Sequence, residues 1–566
     1  MIPVSQAFEL TNSVFIGTVH WIILSSGWRR LFVAMLCGAI GALAMAPANI
    51  LPAFVVSMAG AVWLLDGAAG DSAYKSRSRF SGLITAAIIG WWFGFGYFTA
   101  GLWWLGAAFL VEADKFAWAL PLGVVGLPAV LAVFPAFGFL LARMLWSGGA
   151  ARVLALAAGL GIAEWLRGIL FTGFPWNDMG MVLGGNLVLG QFAAITGLHG
   201  LTFLAIAIAA APATLAYCAE SETGRGFLGG SRYRPVALAA LSLACLAAFG
   251  FLRLGGNPTE YTGNVRMRLM QPNIAQDQKF RPEAGPDILA AYLKLSDRST
   301  SPQTTGVATV THLFWPESPF PFILSRNAEA LAQIGKALPR TTTLITGAAR
   351  AELSTARRSG SGRRRTSYFN SIQLVESGSL ITQTYDKMHL VPFGEYLPLS
   401  AFLNRFGITQ FIHIPGGFEP GIARKTLSLR GIGEVAPLVC YETIFPGIVS
   451  ARSRNGNRPA LIVNLTNDGW FGPTFGPYQH LAQARLRTIE EGLPMVRVAN
   501  TGVSAVIDAH GRILQKLPLG VEGVIDSRLP KPASATVFSR HGTPVPGSLA
   551  LLFLVIALYF RLRRQF

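Results

Sequence analysis

Residues 82–111 read GLITAAIIGWWFGFGYFTAGLWWLGAAFLV and contain no Asp, Glu, Lys or Arg. A helix crossing a bilayer needs about 20 mostly apolar residues, and a run this long without charge is not an ordinary soluble core element. Runs of the same kind lie near 31–47, 50–67, 117–146, 151–172, 189–218, 235–254 and 545–560, so about eight transmembrane helices are predicted. The composition agrees, with 51% hydrophobic and only 13% charged residues in a chain of 566.

The net charge of +18 does not point to nucleic acid, because Lys and Arg punctuate the apolar runs instead of forming one basic face interleaved with aromatics. Arg29 and Arg30 precede the first span, Lys75, Arg77 and Arg79 follow the second, Arg143 and Arg152 flank the fourth-to-fifth turn, and Arg225, Arg232 and Arg234 follow the sixth. The alternate loops 47–49, 112–116 and 173–188 hold only Lys115, so the positive-inside rule places both termini in the cytoplasm, in agreement with the tail residues Arg561, Arg563 and Arg564. Before the first span, Val14 to Leu24 reads as an interfacial leader: Glu9 is present and no basic n-region precedes it. The expected organisation is 1–254 with about seven transmembrane helices, 255–544 as an extracytoplasmic domain, and 545–566 as a last helix with a basic cytoplasmic tail.

Within 255–544, β-branched runs at 266–272, 308–317, 342–349, 370–376, 460–468 and 495–500 alternate in part with amphipathic stretches at 286–298, 326–337 and 478–492. That pattern predicts an α/β sandwich, not an all-β module. STARRSGSGRRR at 354–365 reads as a solvated surface insert. Cys37, Cys218 and Cys245 lie in or beside apolar runs and Cys440 alone sits in the polar section, so no disulfide framework is expected there. The sequence contains neither a phosphate-cradling GxxxxGK[ST] nor a CxxC or HExxH spacing, and neither a cofactor nor a metal is expected.

Cys440, in PLVCYETIFP (437–446), stands where an apolar strand-like approach meets a polar turn, a placement that exposes a nucleophile at a sheet's end. A buried structural thiol is the bland alternative. Glu317 ends an apolar run in FWPES (314–318), where desolvation would let a carboxylate act as a general base near neutral pH; taken alone, it reads better as a strand-end surface acid. Lys387, in YDKMHLVPFGEYLP (385–398), reads alone as a solvated lysine. The set becomes specific in its order: strand-end Glu, Lys before the HLVPFGEYLP loop, then Cys followed by Tyr441 and Glu442.

This order and its flanking strings resemble the nitrilase, or carbon–nitrogen hydrolase, superfamily, whose domain is an αββα sandwich. The resemblance is closest to its membrane-bound branch, the bacterial apolipoprotein N-acyltransferases. It rests on EWLRG (164–168), GFPW (173–176), WPES (315–318), KMHLVPFGEYLP (387–398), CYE (440–442), NDGWFG (467–472), GPYQH (476–480) and NTGVSAVI (500–507).

The resemblance implies that Glu317 takes the proton of Cys440, whose thiolate attacks a phospholipid ester to give a thioester acyl-enzyme. Lys387 and backbone N–H near Tyr441 would hold the oxyanion. The acceptor implied is the N-terminal amine of S-diacylglyceryl-cysteine on an apolipoprotein, in a monomeric inner-membrane enzyme facing the periplasm. Glu395 and Glu442 are expected to orient Lys387 and shape the pocket. Phe280 stands where some members carry Trp. Residues 401–412, with Phe402, Leu403, Phe406 and Phe411, read either as core or as a lipid-dipping lid, and Glu164 and Arg167, three apart on the fifth span, as a structural pair. Rival readings are a Cys–His hydrolase using His389, a membrane-tethered amidase or nitrilase acting on small amides, and a non-catalytic transporter or sensor.

Overall fold

The computed structural model describes residues 4–74, 80–216, 233–354, 365–403, 405, 410, 411, 414, 416–449 and 456–563. The Arg-rich stretch at 355–364, Phe406 and Cys218 lie outside these residues. The chain divides into two compact units, Met1–Gly256 with Arg540–Phe566, and Asn257–Ser539.

In the first unit, seven helices of the described residues are long and apolar enough to span a membrane: Leu51–Ala68, Gly82–Phe109, Ala113–Met144, Ala151–Thr172, Leu189–Ala216, Arg234–Gly255 and Pro544–Leu562. An eighth is reached if the pair Ser13–Leu24 and Gly27–Ala42, bent by 117°, counts as one span. The run expected at 31–47 thus begins earlier and stops at Ala42, and its 16 residues are too few to cross alone. Gly27, with φ +57°, makes the break, and Arg30 Nε donates to the Ser25 carbonyl across it at 2.6 Å.

Glu164 and Arg167 do pair, Nη2 lying 2.6 Å from Oε2, and both are buried. Arg167 also donates to the carbonyls of Phe174 and Trp176, and the Met179 N–H donates to Glu164 at 3.2 Å. The pair therefore pins the GFPW segment against its helix, satisfying buried charge and backbone together.

The second unit is built on two six-stranded sheets. The first runs in the spatial order Gly523–Pro530, Tyr261–Gln271, His312–Phe314, Thr343–Ser354, Arg365–Glu376, Leu380–Asp386. The second runs Ile513–Leu517, Ser504–Ile507, Met495–Ala499, Leu461–Thr466, Gly433–Val439, Leu427–Leu429. Side-chain alternation decides what each strand faces. Val265, Met267, Leu269, Phe314 and Ile345 pack with Val439, Val463 and Val496 of the other sheet, while Met270, Leu313 and Leu344 pack under helices Gly285–Ser296 and Ala328–Ala337. This is the helix–sheet–sheet–helix layering expected. The central strands of both sheets are parallel, which gathers their C-terminal ends at one edge.

Candidate active site

Three strand ends converge at that edge. Glu317 follows His312–Phe314, Lys387 immediately follows Leu380–Asp386, and Cys440 immediately follows Gly433–Val439. Glu317 and Lys387 thus hang from one sheet and Cys440 from the other. Two local features set them. Gly347 lies so close to Glu317 that a Cβ there would sit 2.7 Å from its Cα, so only glycine admits the approach. Cys440 has φ +47°, a left-handed conformation rare for a residue with a side chain, at the start of the short 3-10 helix Cys440–Ile444. That elbow turns the chain off the strand, but the residue is not exposed as the sequence suggested: Cys440 is 7% accessible.

The Cys440 thiol and the Glu317 carboxyl lie close enough for each to shift the other's proton affinity. Lys387 Nζ lies 2.8 Å from Glu395 Oε2 and 3.7 Å from Glu317 Oε1. Asn370 Nδ2 donates to both carboxylates, at 2.7 Å to Glu317 and 2.7 Å to Glu395. Glu395 also receives the Val391 N–H at 2.8 Å.

Glu442 does not touch the lysine's ammonium. It accepts the backbone N–H groups of Met388 (2.8 Å), His389 (3.2 Å) and Val439 (2.8 Å) and the Tyr385 hydroxyl (3.0 Å). The two supporting glutamates therefore divide: Glu395 pairs with Lys387, and Glu442 ties the Lys387 loop to the Cys440 elbow. Tyr441 is buried, its ring edge-on to Phe445 at 5.2 Å.

Burial sets the electrostatics. It pushes the Glu317 carboxyl above its ordinary range and Glu395 adds to this, against the pull of Lys387, Asn370 and the thiol. Burial and the Glu317 charge push the Cys440 thiol up, and Lys387 only partly offsets them. Burial also opposes the Lys387 charge, but Glu395 and Glu317 outweigh it and hold the ammonium well above the usual lysine range. Burial thus favours the protonated thiol, while the two carboxylates favour the charged lysine.

His389 is no such partner. Burial, Arg424 and Lys387 lower its pKa to about 4, and its ring packs on Phe445 at 4.5 Å. A second histidine, which sequence reasoning passed over, stands behind the elbow: His480 Nε2 lies 3.1 Å from the Cys440 carbonyl oxygen and Nδ1 2.9 Å from Asp468 Oδ1. Asp468 in turn holds Arg497 at 2.8 Å. Cys440, Asp468 and His480 offer ligand atoms within 4.8 Å of one another. The nitrogens of His480 and the oxygens of Asp468 are already hydrogen-bonded, and Arg497 brings a positive charge to the same spot, so the cluster fits a backbone clamp better than a cation site. Asn370, Asp468 and His480 lie in NSIQLVE, NDGWFG and GPYQH, strings that marked a strand or a likeness without naming these side chains.

A thiol, a carboxylate and an ammonium at the joined ends of two face-to-face sheets are the arrangement of a carbon–nitrogen hydrolase, and the family profile described as carbon-nitrogen hydrolase matches residues 309–535. The profile described as the apolipoprotein N-acyltransferase N-terminal domain matches 37–211. The chain is 50% identical to the apolipoprotein N-acyltransferase of Rhodopseudomonas palustris over 95% of its own length and 96% of that protein's. It is 46% identical to that of Bradyrhizobium diazoefficiens over 96% and 97%, and 42% identical to that of Brucella suis over 90% and 92%. Among solved structures, a mutant of the Nesterenkonia AN1 amidase from the nitrilase superfamily aligns with 47% of this chain and 92% of its own, at 17% identity and a TM-score of 0.30. The chain belongs to the apolipoprotein N-acyltransferase family, and it is a membrane-embedded acyltransferase.

Proposed function

We propose that this enzyme moves a fatty acyl chain from phospholipid to the N-terminal amine of S-diacylglyceryl-cysteine on apolipoproteins, through a thioester on Cys440. The observation that carries the chemistry is the convergence of Cys440, Glu317 and Lys387 from three strand ends, with the Lys387 ammonium 3.7 Å from the Glu317 carboxylate. Glu317 removes the thiol proton as sulfur attacks the ester carbonyl. The Lys387 ammonium, held beside Glu395 and Glu317, meets the developing oxyanion together with the Tyr441 N–H at the start of the 3-10 turn. Lysophospholipid departs, the amine enters, and Glu317 accepts its proton as the thioester is cleaved. The thioester is more reactive toward an amine than the lipid ester, which divides the transfer into two lower barriers without ATP.

The catalytic section at 255–544 faces the periplasm in this reading, between the helices of 1–254 and 545–566, with both termini cytoplasmic; the alternation of basic and uncharged loops supports it. One chain supplies Glu317, Lys387 and Cys440, in keeping with a monomer. The test is incubation of the purified protein with acyl-labelled phospholipid and a synthetic diacylglyceryl-cysteinyl peptide. N-acyl peptide and lysophospholipid in equal amounts are expected. Turnover of small amides to acids, with no peptide acylation, would replace the proposal by an amidase.

A further inference from the structure

Lys279 is a buried charge beside the site that the chemistry above leaves unused. It sits in the short 3-10 turn Gln278–Phe280, follows the strand Tyr261–Gln271 and is 6% accessible. No carboxylate lies within ion-pairing distance of its Nζ among the described residues, and the hydrogen bond it makes is to the main-chain carbonyl of Glu317, at 3.4 Å. A fully buried lysine without a carboxylate partner is costly and rare, and such residues concentrate at functional sites. This one is anchored to the residue read above as the general base.

We propose that Lys279 is a positioning residue: its ammonium, docked on the Glu317 carbonyl, fixes the turn that aims Glu317 at Cys440 and helps keep the Glu317 carboxylate ionised. The inference rests on Glu317 acting as the base for Cys440. Three observations support it. The turn at Glu317 is tightly constrained, with Ser318 at φ +45° and the Gly347 N–H donating to the Pro316 carbonyl at 3.2 Å, so a cation on the adjoining carbonyl completes its fixation. The charged groups facing Glu317 are Lys387, Glu395 and Lys279, together with the Cys440 thiol, and Lys387 is shared with Glu395 at the shorter distance of 2.8 Å. A second cation is what the site has available to balance that sharing. Burial also lowers the Lys279 pKa to about 7, against the pull of Glu317, so its charge is set within the physiological range.

The test uses the full-length protein in detergent and reads the rate of iodoacetamide alkylation at the peptide carrying Cys440 across pH 5–9. Lys279→Met should move the acid limb of that profile upward by about one pH unit, a roughly tenfold loss of rate below the limb, because Glu317 loses a stabilising charge. Lys279→Arg, which keeps the charge at all these pH values, should restore the limb. A lowered plateau with the limb unmoved, or an Arg variant that behaves like Met, overturns the inference. Glu317→Gln serves as the discriminating control. If it abolishes the limb while Lys279→Met leaves it in place, the inference about Lys279 alone fails; if the limb survives in Glu317→Gln, the base assignment itself fails.

Discussion

Glu395→Gln separates the two tasks of the Lys387 ammonium. In the native site Nζ lies 2.8 Å from Glu395 and 3.7 Å from Glu317, so at equal effective dielectric the Glu395 attraction is roughly a third stronger. Glutamine removes that charge at nearly constant volume, and its oxygen retains the Asn370 contact. Lys387 is then drawn to Glu317 alone. Breaking a buried ion pair outright costs about 3–5 kcal/mol, and since Glu317 keeps the lysine paired, a loss nearer 1–3 kcal/mol is expected here. The catalytic effect is larger. Glu395 raises the affinity of Glu317 for a proton, so its removal makes Glu317 a weaker base and moves the acid limb of acylation downward. The ammonium also shifts away from the oxyanion position. A unit of base strength is worth about tenfold and a lost oxyanion donor about 10²–10³, so acyl-enzyme formation should fall by between roughly tenfold and a thousandfold. Rapid-quench mass spectrometry of acyl-enzyme formation at a series of pH values measures both the rate and the limb. A limb that moves upward, or a rate equal to wild type, would refute the reasoning.

Gly347→Ala places a methyl 2.7 Å from Glu317 Cα and 2.8 Å from the Pro316 oxygen, so the base must move; transfer should drop at least tenfold by the same assay, while the Glu164–Arg167 side of the protein is untouched. His389→Ala should retain acyl-enzyme formation, whereas Lys387→Met should lose about 10²–10³ in rate; the reverse order would install the Cys–His alternative. Glu491, its pKa raised to about 7 by burial and by Glu490, binds a proton in the folded state that the unfolded chain has released above about 4.5. Wild-type stability should therefore fall as pH rises between these values, by about 3 kcal/mol, and Glu491→Gln should gain in Tm relative to wild type at pH 8 but not at pH 4.5.

Much of this molecule is legible in its sequence because hydrophobicity dominates it. Uncharged runs mark the membrane helices, and the strand ending at Val439 is recognisable because all its inner positions are apolar. Where the pattern is local geometry, hydropathy is silent. The Ser25-Ser26-Gly27 break lies between two apolar runs, and only the positive φ at Gly27 makes it a 117° bend. Ile513–Leu517 is a half-exposed edge strand with Gln515 and Lys516 in it, too polar to stand out from a loop. In the site, Glu317, Lys387 and Cys440 were readable as chemistry-bearing residues in a known order. Asn370 was not, because an asparagine in a strand gives no sign that it bridges two carboxylates brought from 53 and 25 residues away. The burial of Cys440 was equally hidden, since accessibility depends on tertiary packing that the local string does not carry.

Intact-mass analysis of the detergent-purified protein after exposure to phospholipid, without acceptor, tests the thioester most directly. One acyl adduct that maps to Cys440, is released by neutral hydroxylamine and is absent from Cys440→Ala is the expected result. An adduct that persists in Cys440→Ala, or lysophospholipid release in the absence of any adduct, would contradict a covalent cysteine mechanism.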